Sequence, residues 1–364
     1  MSKGLDVYAV VLPGLEEIAA CELLQLGARD AVCDTGGVTF RASPDAIMRV
    51  GLRARTVTRV LLRLSSFNAR SINEMVRKAR RIDWARYVQG RSWRLHVSTH
   101  RSRLWHSGRI ADALNNLLSD FQGDGSGGAV DIFVRLDRDR CQLSLCASHL
   151  RMDRRGYRIE PGPAPMRESL ASALLYWSGW QPGRRLWVPM CGSGTLAIEA
   201  AQIDLHASLD IQKPLPCVGW PGFSERRWRR VCERAKAMQR KKLGSEIAAS
   251  DLREDMIVLA RHNAERAGVE ADISWVCCDF FSLTPDGHPG WLVLNPPYGR
   301  RMGEDIHVLY HRIGMQLKCL FSDWSVLVVT PDAGCERALG RAPSRRLRFR
   351  HGGRWVHALM FEPI

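Results

Sequence analysis

The first part of the chain alternates short apolar runs with helical patterns, which predicts a small α+β domain. Gly36 and Gly37 interrupt one apolar run and predict a tight turn between two strands. We expect strands at residues 7–12, within 32–40 and at 56–64, and helices at 15–26 and from Ser43-Pro44 onward. This β-α-β-β-α-β order is typical of a ferredoxin-like domain, which we predict over residues 1–66.

A second α+β segment is predicted over residues 67–153. Ser71 and Glu74 form a capping box, which predicts the start of a basic helix that runs through Arg81. Further patterns predict a strand at 93–98, a helix at 106–121 and a hairpin made of strands 130–136 and 141–147.

Residues 154–166 are predicted to form a linker, because Pro161, Pro163 and Pro165 favour an extended chain. Residues 167–364 then alternate buried strands with helical patterns, which predicts a Rossmann-like α/β domain with a parallel sheet. The strands are expected near 185–189, 246–250, 273–278, 291–294 and 324–330, and helices at 168–177, 196–203 and 256–267.

Four successive strands of this half are followed by residues with distinct chemistry. The first is followed by a glycine-rich turn, the second by Asp251, the third by Asp279 and Phe280, and the fourth by Asn295. In open α/β sheets, ligands bind at the carboxyl ends of the strands. The turn and its flanks consist of Pro189, Met190, Cys191, Gly192, Ser193, Gly194 and Thr195.

This order matches a site for S-adenosyl-L-methionine (SAM). The turn is expected to hold the methionine part and Asp251 the ribose hydroxyls, while Asp279 takes the adenine amino group with Phe280 packed on the ring. A nicotinamide cofactor would require an acid near residues 215–218, and a nucleotide P-loop would require a lysine after the glycines; both are absent. Taken singly, each acid also suits a helix cap or a surface ion pair.

The fourth strand ends in Asn295-Pro296-Pro297-Tyr298, which we predict to be the catalytic motif. The Asn295 side-chain oxygen and the Pro296 carbonyl can accept the two hydrogens of an exocyclic amino group, while Tyr298 stacks on a planar base. The alternative interpretation is a rigid turn after a strand, since prolines cannot continue a sheet ladder.

The overall charge favours a polyanionic partner. The chain carries 53 Lys and Arg against 38 Asp and Glu, a net charge of +15. Residues 53–109 contain fifteen Arg or Lys and two acids, interleaved with Trp84, Tyr87, Trp93 and Trp105. This pattern suits RNA binding, although a solvated basic face over a core that holds the tryptophans would look the same. Basic runs at 226–242 and 337–354 allow the same two interpretations.

Cysteine usage and hydropathy argue against a metal-binding, membrane-spanning or secreted protein. Eleven cysteines without a Cys-x-x-Cys pair predict reduced thiols and no metal site. No apolar run approaches the ~20 residues of a membrane span, and the N-terminus lacks the apolar core of a signal peptide. We therefore expect a cytoplasmic protein, with a monomer favoured.

Several motifs together resemble the THUMP-containing guanine-N2 RNA methyltransferases, with closest similarity to the bacterial enzymes that act on 23S rRNA. They are Arg155-Gly-Tyr-Arg158, Glu168-Ser-Leu-Ala171, Ser178-Gly-Trp180, Pro189-Met-Cys-Gly-Ser-Gly-Thr195, Ser250-Asp251, Ala260-Arg-His-Asn263 and Asn295-Pro-Pro-Tyr-Gly299. The resemblance spans nearly the whole chain. It implies ferredoxin-like and THUMP RNA-binding domains followed by a SAM-dependent methyltransferase domain.

One position departs from that family, and three other functions remain open. Val188 stands where the family usually has Asp, which removes a carboxylate near the methionine end of the cofactor site. A tRNA guanine-N2 methyltransferase has the same architecture, and a DNA adenine-N6 methyltransferase uses the same Asn-Pro-Pro-Tyr chemistry. An RNA-binding ribosome-assembly factor with a degenerate SAM pocket is the alternative from another class, and Val188 favours it.

Overall fold

The protein divides into two compact units. A computed structural model describes residues 4–121, 128–158, 166–209, 213–297 and 306–363. The N-terminal unit consists of Met1–Val11, Ala19–Met152 and Leu209–Ala235, and the C-terminal unit of Leu12–Ile18, Asp153–Ser208 and Lys236–Ile364. A segment of the second half of the chain is therefore part of the N-terminal unit.

The first half of the chain contains seven strands and five α-helices in its described residues. In chain order they are β1 (Leu5–Val11), α1 (Glu16–Gln25), β2 (Arg29–Asp34), β3 (Gly37–Ala42), α2 (Pro44–Arg53), β4 (Val57–Asn68), α3 (Ile72–Ala79), α4 (Ala85–Val88), β5 (Ser92–His100), α5 (Ser107–Leu118), β6 (Ala129–Asp137) and β7 (Arg140–Cys146). The first six elements have the predicted ferredoxin-like order, and Ser71 caps α3 by accepting the Glu74 N–H.

These strands form one sheet in the order β2-β3-β1-β4-β7-β6-β5. The long strand β4 pairs with β1 along one edge and with β7 along the other, both antiparallel. The predicted boundary between residues 66 and 67 falls inside this strand. Division of the region into 1–66 and 67–153 therefore stays a prediction, although the two parts share a sheet.

The segment Leu209–Ala235 includes part of the basic run at residues 226–242, for which the sequence predicted no helix or strand. Much of it forms helix α8 (Glu225–Met238), whose first part belongs to the N-terminal unit. Arg227 contacts Asp45 of α2 at 2.8 Å, and the Leu209 N–H donates to the Leu52 carbonyl. Long-range contacts of this kind leave no periodic pattern in the sequence.

The aromatic residues of the basic stretch have different environments. Trp84 is buried, and its indole N–H donates to the Ala79 carbonyl, as expected for a core residue. Trp105 is 69% exposed and lies beside the ring of His106. The aromatic residues of this stretch therefore include both core and surface positions. This result is compatible with RNA binding and with a solvated basic face over the core.

The C-terminal unit contains a second seven-stranded sheet. Its elements, with α8 between them in the chain, are α6 (Glu168–Ser178), β8 (Leu186–Pro189), α7 (Thr195–Asp204), β9 (Ile247–Asp251), α9 (Glu254–Arg266), β10 (Ser274–Cys277), β11 (Trp291–Leu294), α10 (Ile306–Leu320), β12 (Ser325–Thr330), α11 (Ala333–Ala338), β13 (Arg345–His351) and β14 (Arg354–Phe361). None of the helices described here is long and apolar enough to cross a membrane.

The second sheet has the order β10-β9-β8-β11-β12-β14-β13. Strands β8 to β12 are parallel, and β14 runs antiparallel to its neighbours β12 and β13. The chain order reverses direction between β8 and β11, which is the switch point where such sheets bind ligands. The predicted Rossmann-like fold is confirmed.

Four elements of this unit escaped the sequence prediction: α10, α11 and the hairpin of β13 and β14. The hairpin was interpreted as a basic tail because four of the seven residues of β13 are arginines. Phe349 is the one fully buried residue of this edge strand, so hardly any apolar alternation was visible. The other six residues of β13 are exposed or half-buried.

Candidate active site at the carboxyl edge of the C-terminal sheet

The structure brings the predicted site residues to neighbouring strand ends. The glycine-rich turn follows β8, Asp251 ends β9, Asp279 follows β10 and Asn295 follows β11. These strands are adjacent in the order β10-β9-β8-β11 and parallel, so their carboxyl ends lie along one edge. The turn is therefore flanked by the two acids on one side and by the Asn-Pro-Pro motif on the other.

The turn is joined to β9 by its own backbone. Pro189 is buried at the end of β8, and Met190 adopts a positive φ of 53°, uncommon for a residue with a side chain. The Cys191 N–H then donates to the Ser250 carbonyl at 2.9 Å. Burial raises the pKa of the Cys191 thiol, which favours an uncharged packing role over a nucleophilic one.

The two glycines of the turn serve different purposes. Gly194 precedes α7 with a φ of +80°, and a Cβ there would come within 2.9 Å of the Ala260 Cβ. Gly194 therefore allows α7 to approach α9 closely. Gly192 has a φ of +53°, but a Cβ there would meet nothing within 4 Å. Its missing side chain leaves open space beside the turn.

Asp251 holds the turn through its carboxylate. The Gly192 N–H donates to one carboxylate oxygen at 2.9 Å, and the Arg253 N–H donates to the other at 3.1 Å. The side chain is half-buried, so its oxygens are oriented without being fully enclosed. A carboxylate fixed in this way can accept further hydrogen bonds from ligand hydroxyl groups.

Asn263 of α9 supports the turn through a second hydrogen bond. It is fully buried, and its amide nitrogen donates to the Ser193 carbonyl at 3.0 Å. Its amide oxygen accepts from Arg266 at 2.7 Å, and Arg266 also donates to the main-chain carbonyl of Tyr157 at 2.7 Å. Asn263 and Tyr157 belong to motifs noted for their family resemblance, but neither was predicted to position the site.

A second polar cluster surrounds the buried carboxylate of Glu199 on α7. It accepts from the Ser172 hydroxyl at 2.6 Å and from the Tyr157 hydroxyl at 3.2 Å, and Arg155 lies at 3.5 Å. Burial, reinforced by Glu199, raises the pKa of Tyr157 well above its usual value, so its hydroxyl stays a donor. The sequence feature that could have revealed this cluster is Glu199 itself, a charged residue in the middle of an otherwise largely apolar helix.

Asp279 and Phe280 lie at the end of β10 with different exposure. One oxygen of Asp279 accepts the Phe281 N–H at 3.1 Å and thereby caps a short 3-10 helix. Phe280 is 2% exposed, and its ring packs against Phe281 and Phe321 in the core. The structure thus shows Phe280 beneath the edge, and its packing on a cofactor ring stays a prediction.

The motif after β11 has an unusual hydrogen-bonding state. The side-chain oxygen of Asn295 is buried, and no donor among the described residues reaches it. Pro296 is buried and Pro297 is exposed. Tyr298, the fourth predicted catalytic residue, lies outside the described residues. A buried acceptor without a donor is rare in folded proteins and suggests a partner that arrives with a ligand.

Val188, the departure from the family pattern, is an interior residue of β8. It is 1% exposed, and its register partner in β9 is Ala249. The substitution therefore places an apolar side chain in the core just before the turn. The hydrogen bonds of Gly192 to Asp251 and of Asn263 to Ser193 are formed in its presence.

One possible metal-binding group occurs in the parts of the chain that the structure describes. Side-chain atoms of His307, Asp332 and Cys335 lie within 4.8 Å of one another. Asp332 caps α11 by accepting the Cys335 N–H at 2.9 Å, which accounts for its position. The expectation that the protein holds no metal stays a prediction.

The site fits the predicted cofactor. It combines an open surface over Gly192, an oriented carboxylate on Asp251 and a second acid on Asp279. Which part of SAM each of these groups holds stays a prediction. Fold and site together define a Rossmann-like methyltransferase.

Comparison with known proteins identifies the family. Residues 155–357 match the RMKL-like methyltransferase domain model (UPF0020), and residues 6–61 match the RlmL ferredoxin-like domain model. The chain belongs to the RMKL-like methyltransferase family. Membership confirms the predicted methyltransferase activity with SAM as methyl donor, and the N-terminal match confirms the ferredoxin-like domain.

Full-length relatives have the same organisation. The chain is 32% identical to "Putative RNA methyltransferase slr0064" of Synechocystis over 98% of its own length and 96% of the relative's. It covers 99% of SMU.472, solved in complex with SAH, with 26% identity and a TM-score of 0.90. A protein described as a predicted N6-adenine-specific DNA methylase from Listeria monocytogenes is 25% identical, with a TM-score of 0.87 and 97% of its chain covered.

Proposed function

We propose that this protein transfers a methyl group from SAM to the exocyclic N2 of a guanosine in RNA, with 23S rRNA as the favoured substrate. The observation that carries the proposal is the buried side-chain oxygen of Asn295, which follows the strand next to that of the cofactor turn and has no donor within the described parts of the chain. An exocyclic amino group would supply a donor to this oxygen, and the Pro296 carbonyl would accept its second hydrogen.

These two acceptors explain how a weak nucleophile can react. The lone pair of guanine N2 is delocalised into the ring, and holding both hydrogens allows the nitrogen to become pyramidal. SAM supplies an electrophilic methyl group on a sulfonium when bound. Asn295 and Pro296 orient the amine for in-line displacement, so positioning lowers the barrier. The alkylated nitrogen then loses one proton to water, and S-adenosylhomocysteine leaves.

The target base must leave its helix to reach Asn295, as in other enzymes that modify bases. Stacking on Tyr298 would offset part of the unstacking cost. This role belongs to the proposal, because Tyr298 lies outside the described residues.

The domain scheme and the location are likewise part of the proposal. The domains are 1–66 (ferredoxin-like), 67–153 (THUMP), 154–166 (linker) and 167–364 (methyltransferase), and the location is cytoplasmic.

Three observations support RNA as the substrate. The relative from Synechocystis, of which this chain covers 96%, is named "Putative RNA methyltransferase slr0064". The N-terminal region matches the RlmL ferredoxin-like domain. The excess of positive charge within residues 53–109 favours a nucleic acid partner. A tRNA guanine-N2 methyltransferase is the main alternative, because these observations apply equally to it.

Adenine in DNA is the second alternative, and the description of the Listeria protein favours it. Both amino groups are planar and exocyclic, so Asn295 would bind either one. The assembly-factor alternative rests on Val188, which removes a carboxylate that the family usually has at this position.

Methyl transfer from labelled SAM to protein-free 23S rRNA, tRNA and DNA, measured side by side, tests the proposal. Mass spectrometry of the digested nucleosides identifies the product. N2-methylguanosine in 23S rRNA supports the proposal. The same product in tRNA alone would mean that tRNA, and not 23S rRNA, is the substrate. N6-methyladenine in DNA contradicts the assignment. Absence of transfer to every substrate, with RNA still bound, favours the assembly factor.

A further inference from the structure

The two faces of the N-terminal sheet differ in chemistry. Side chains alternate along each strand, so neighbouring residues point to opposite faces. On one face, Val7 and Ala9 of β1 are fully buried, as expected under the helices. On the other face lie residues of a different kind, with Tyr8 of β1 opposite Leu61 of β4 and Val10 opposite Arg59. We call this second side the arginine face; its cationic residues used below are Arg59, Arg63 and Arg135.

Aromatic rings hold two of these arginines against the sheet. The guanidinium of Arg63 lies 4.8 Å from the ring centre of Tyr8, and that of Arg59 lies 5.1 Å from the ring centre of Phe133. Phe133 is stacked on its other side against His96, with 4.5 Å between ring centres. Such stacking orients a guanidinium while leaving its N–H groups for other partners.

The arginine face encloses a cavity with a one-sided charge. Its volume is about 210 Å³, and Arg59, Arg63 and Arg135 line it together with Tyr8 and Phe133. None of the lining residues in the described chain is acidic. The Nε of Arg59 is buried, and no acceptor among the described residues reaches it. Arg135 is half exposed, and its carboxylate contact, to Asp137, measures 3.4 Å.

The acids on this face are engaged outside the cavity. Asp131 of β6 accepts two hydrogen bonds from Arg94 at 2.8 and 2.9 Å and contacts His96 at 2.7 Å. Asp6 lies 3.9 Å from Arg63, at the limit of an ion pair. The described lining of the cavity therefore carries three arginines and no acid, a charge that complements a phosphate backbone.

We propose that the arginine face binds an unpaired segment of the RNA substrate, in addition to the target nucleotide at Asn295. The inference rests on the proposed function and adds a second RNA contact to it. Oriented guanidinium planes offer stacking surfaces to unpaired bases, and guanidinium N–H groups bind phosphates. Arg63 already donates to the Thr39 hydroxyl at 3.1 Å, so Arg59 and Arg135 are the main candidates for phosphate contacts. The cavity is smaller than the ~300 Å³ of ordinary ligand pockets, which suits one nucleotide unit rather than a free metabolite.

The test compares RNA binding by the full-length protein and two variants. Arg59→Gln/Arg135→Gln removes two charges from the arginine face. Arg184→Gln/Lys318→Gln is the charge-matched control, because it removes two charges from exposed side chains of the C-terminal unit, outside the basic runs of the sequence. The probe is a fluorescently labelled 12-nucleotide single-stranded RNA, with a duplex of the same sequence for comparison. Thermal unfolding and S-adenosylhomocysteine binding verify that each variant is folded.

We expect the arginine-face variant to bind single-stranded RNA about tenfold more weakly, with a salt dependence reduced by roughly one to two phosphate contacts. The control should stay within about twofold of wild type, and the duplex should lose less than the single strand. Cross-linking of RNA that contains 4-thiouridine should label peptides from β1, β4 or β6. Equal binding by the arginine-face variant and wild type, or equal loss in the control, would overturn the inference.

The same preparations distinguish this inference from the proposed function. If the wild-type protein methylates RNA and the arginine-face variant binds and methylates RNA equally well, only the inference about the arginine face is contradicted. Wild-type protein that binds single-stranded RNA through this face but methylates only DNA contradicts the proposed function only.

Discussion

The cofactor turn after β8 and the Asn-Pro-Pro motif after β11 end adjacent strands but differ in how their polar groups are satisfied. In the turn, the protein itself supplies the partners: Asp251 accepts from Gly192, and Asn263 donates to Ser193. In the motif, the buried oxygen of Asn295 has no donor among the described residues. The fold completes the first region, and under the proposed function a ligand completes the second.

This difference separates two requirements of a transfer site. A cofactor site needs a fixed backbone shape, which internal hydrogen bonds provide before any ligand arrives. A site that activates an amine needs acceptors that are not already occupied. An unsatisfied buried acceptor costs about 1–3 kcal/mol of stability, and under the proposed function the amino group of the target base would offset this cost at Asn295.

The largest effect is expected for Asn295→Ala, which removes the acceptor. We expect turnover to fall by roughly 1000-fold, the scale seen when a positioning hydrogen bond is lost from an active site. S-adenosylhomocysteine affinity should stay within about threefold, because the described part of the cofactor turn donates no hydrogen bond to the side-chain oxygen of Asn295. Single-turnover kinetics and calorimetry measure the two quantities. An equal loss of both would show that Asn295 shapes the cofactor site instead.

Glycine substitutions in the turn provide the next largest effect. Gly194→Ala would bring a methyl group within 2.9 Å of the Ala260 Cβ at a φ of +80°. We expect a loss of about 3 kcal/mol of stability, from crowding of α7 against α9 together with backbone strain. The change in free energy of unfolding can be measured by urea denaturation of the C-terminal transition.

Gly192→Ala is the matched control, because the added methyl group meets nothing within 4 Å. Its stability loss should be limited to about 1 kcal/mol of left-handed backbone strain. Cofactor affinity should nevertheless fall, since the methyl group projects into the open space beside the turn. Similar stability losses in the two variants would contradict the distinction between the two glycines.

Sequence patterns predicted the cofactor turn and the motif more successfully than the residues that support them. Gly192, Asp251 and Asn295 each follow a recognisable strand, so their common edge could be inferred from the parallel order of the strands. Asn263 lies within a helix, and its bond to Ser193 joins positions far apart in the chain. Such bonds depend on how α9 packs, which no local pattern describes.

Asn263→Ala addresses the support of the turn. It removes the donor to the Ser193 carbonyl and the acceptor for Arg266. We expect about 1–3 kcal/mol of lost stability and a KM for SAM raised roughly tenfold, while kcat changes by less than about threefold. Steady-state kinetics with the identified substrate, combined with thermal unfolding, measures these quantities.

Asn263→Asp separates the two hydrogen bonds of this residue. It retains an acceptor for Arg266 but lacks the N–H that reaches Ser193. A raised KM with near-normal stability would assign the cofactor effect to the Ser193 bond. An unchanged KM in both variants would show that the turn keeps its shape without Asn263.

The N-terminal unit shows the same division between local features, which were predicted, and long-range contacts, which were not. Its strand and helix order was evident from periodicity, and the ferredoxin-like prediction is confirmed. The continuation of the sheet from β4 into β7 was not predicted, because strand pairing between distant segments has no sequence signature. The arginine face is likewise visible only once Tyr8, Arg63 and Phe133 lie on one side of the same sheet.

Tyr157→Phe should have the smallest effect and tests how far the support of the turn extends. The variant loses the hydroxyl bond to Glu199, whose carboxylate retains the Ser172 hydroxyl and Arg155. Loss of one such bond lowers stability by about 1 kcal/mol. The corresponding decrease in Tm is roughly 2–4 °C. The KM for SAM should stay within about twofold, because Arg266 contacts the main-chain carbonyl of Tyr157, which phenylalanine retains. A tenfold increase in KM would mean that the Glu199 cluster positions the cofactor turn directly. The residues that hold the turn in shape would then extend from Asp251 to Glu199 in the interior of α7.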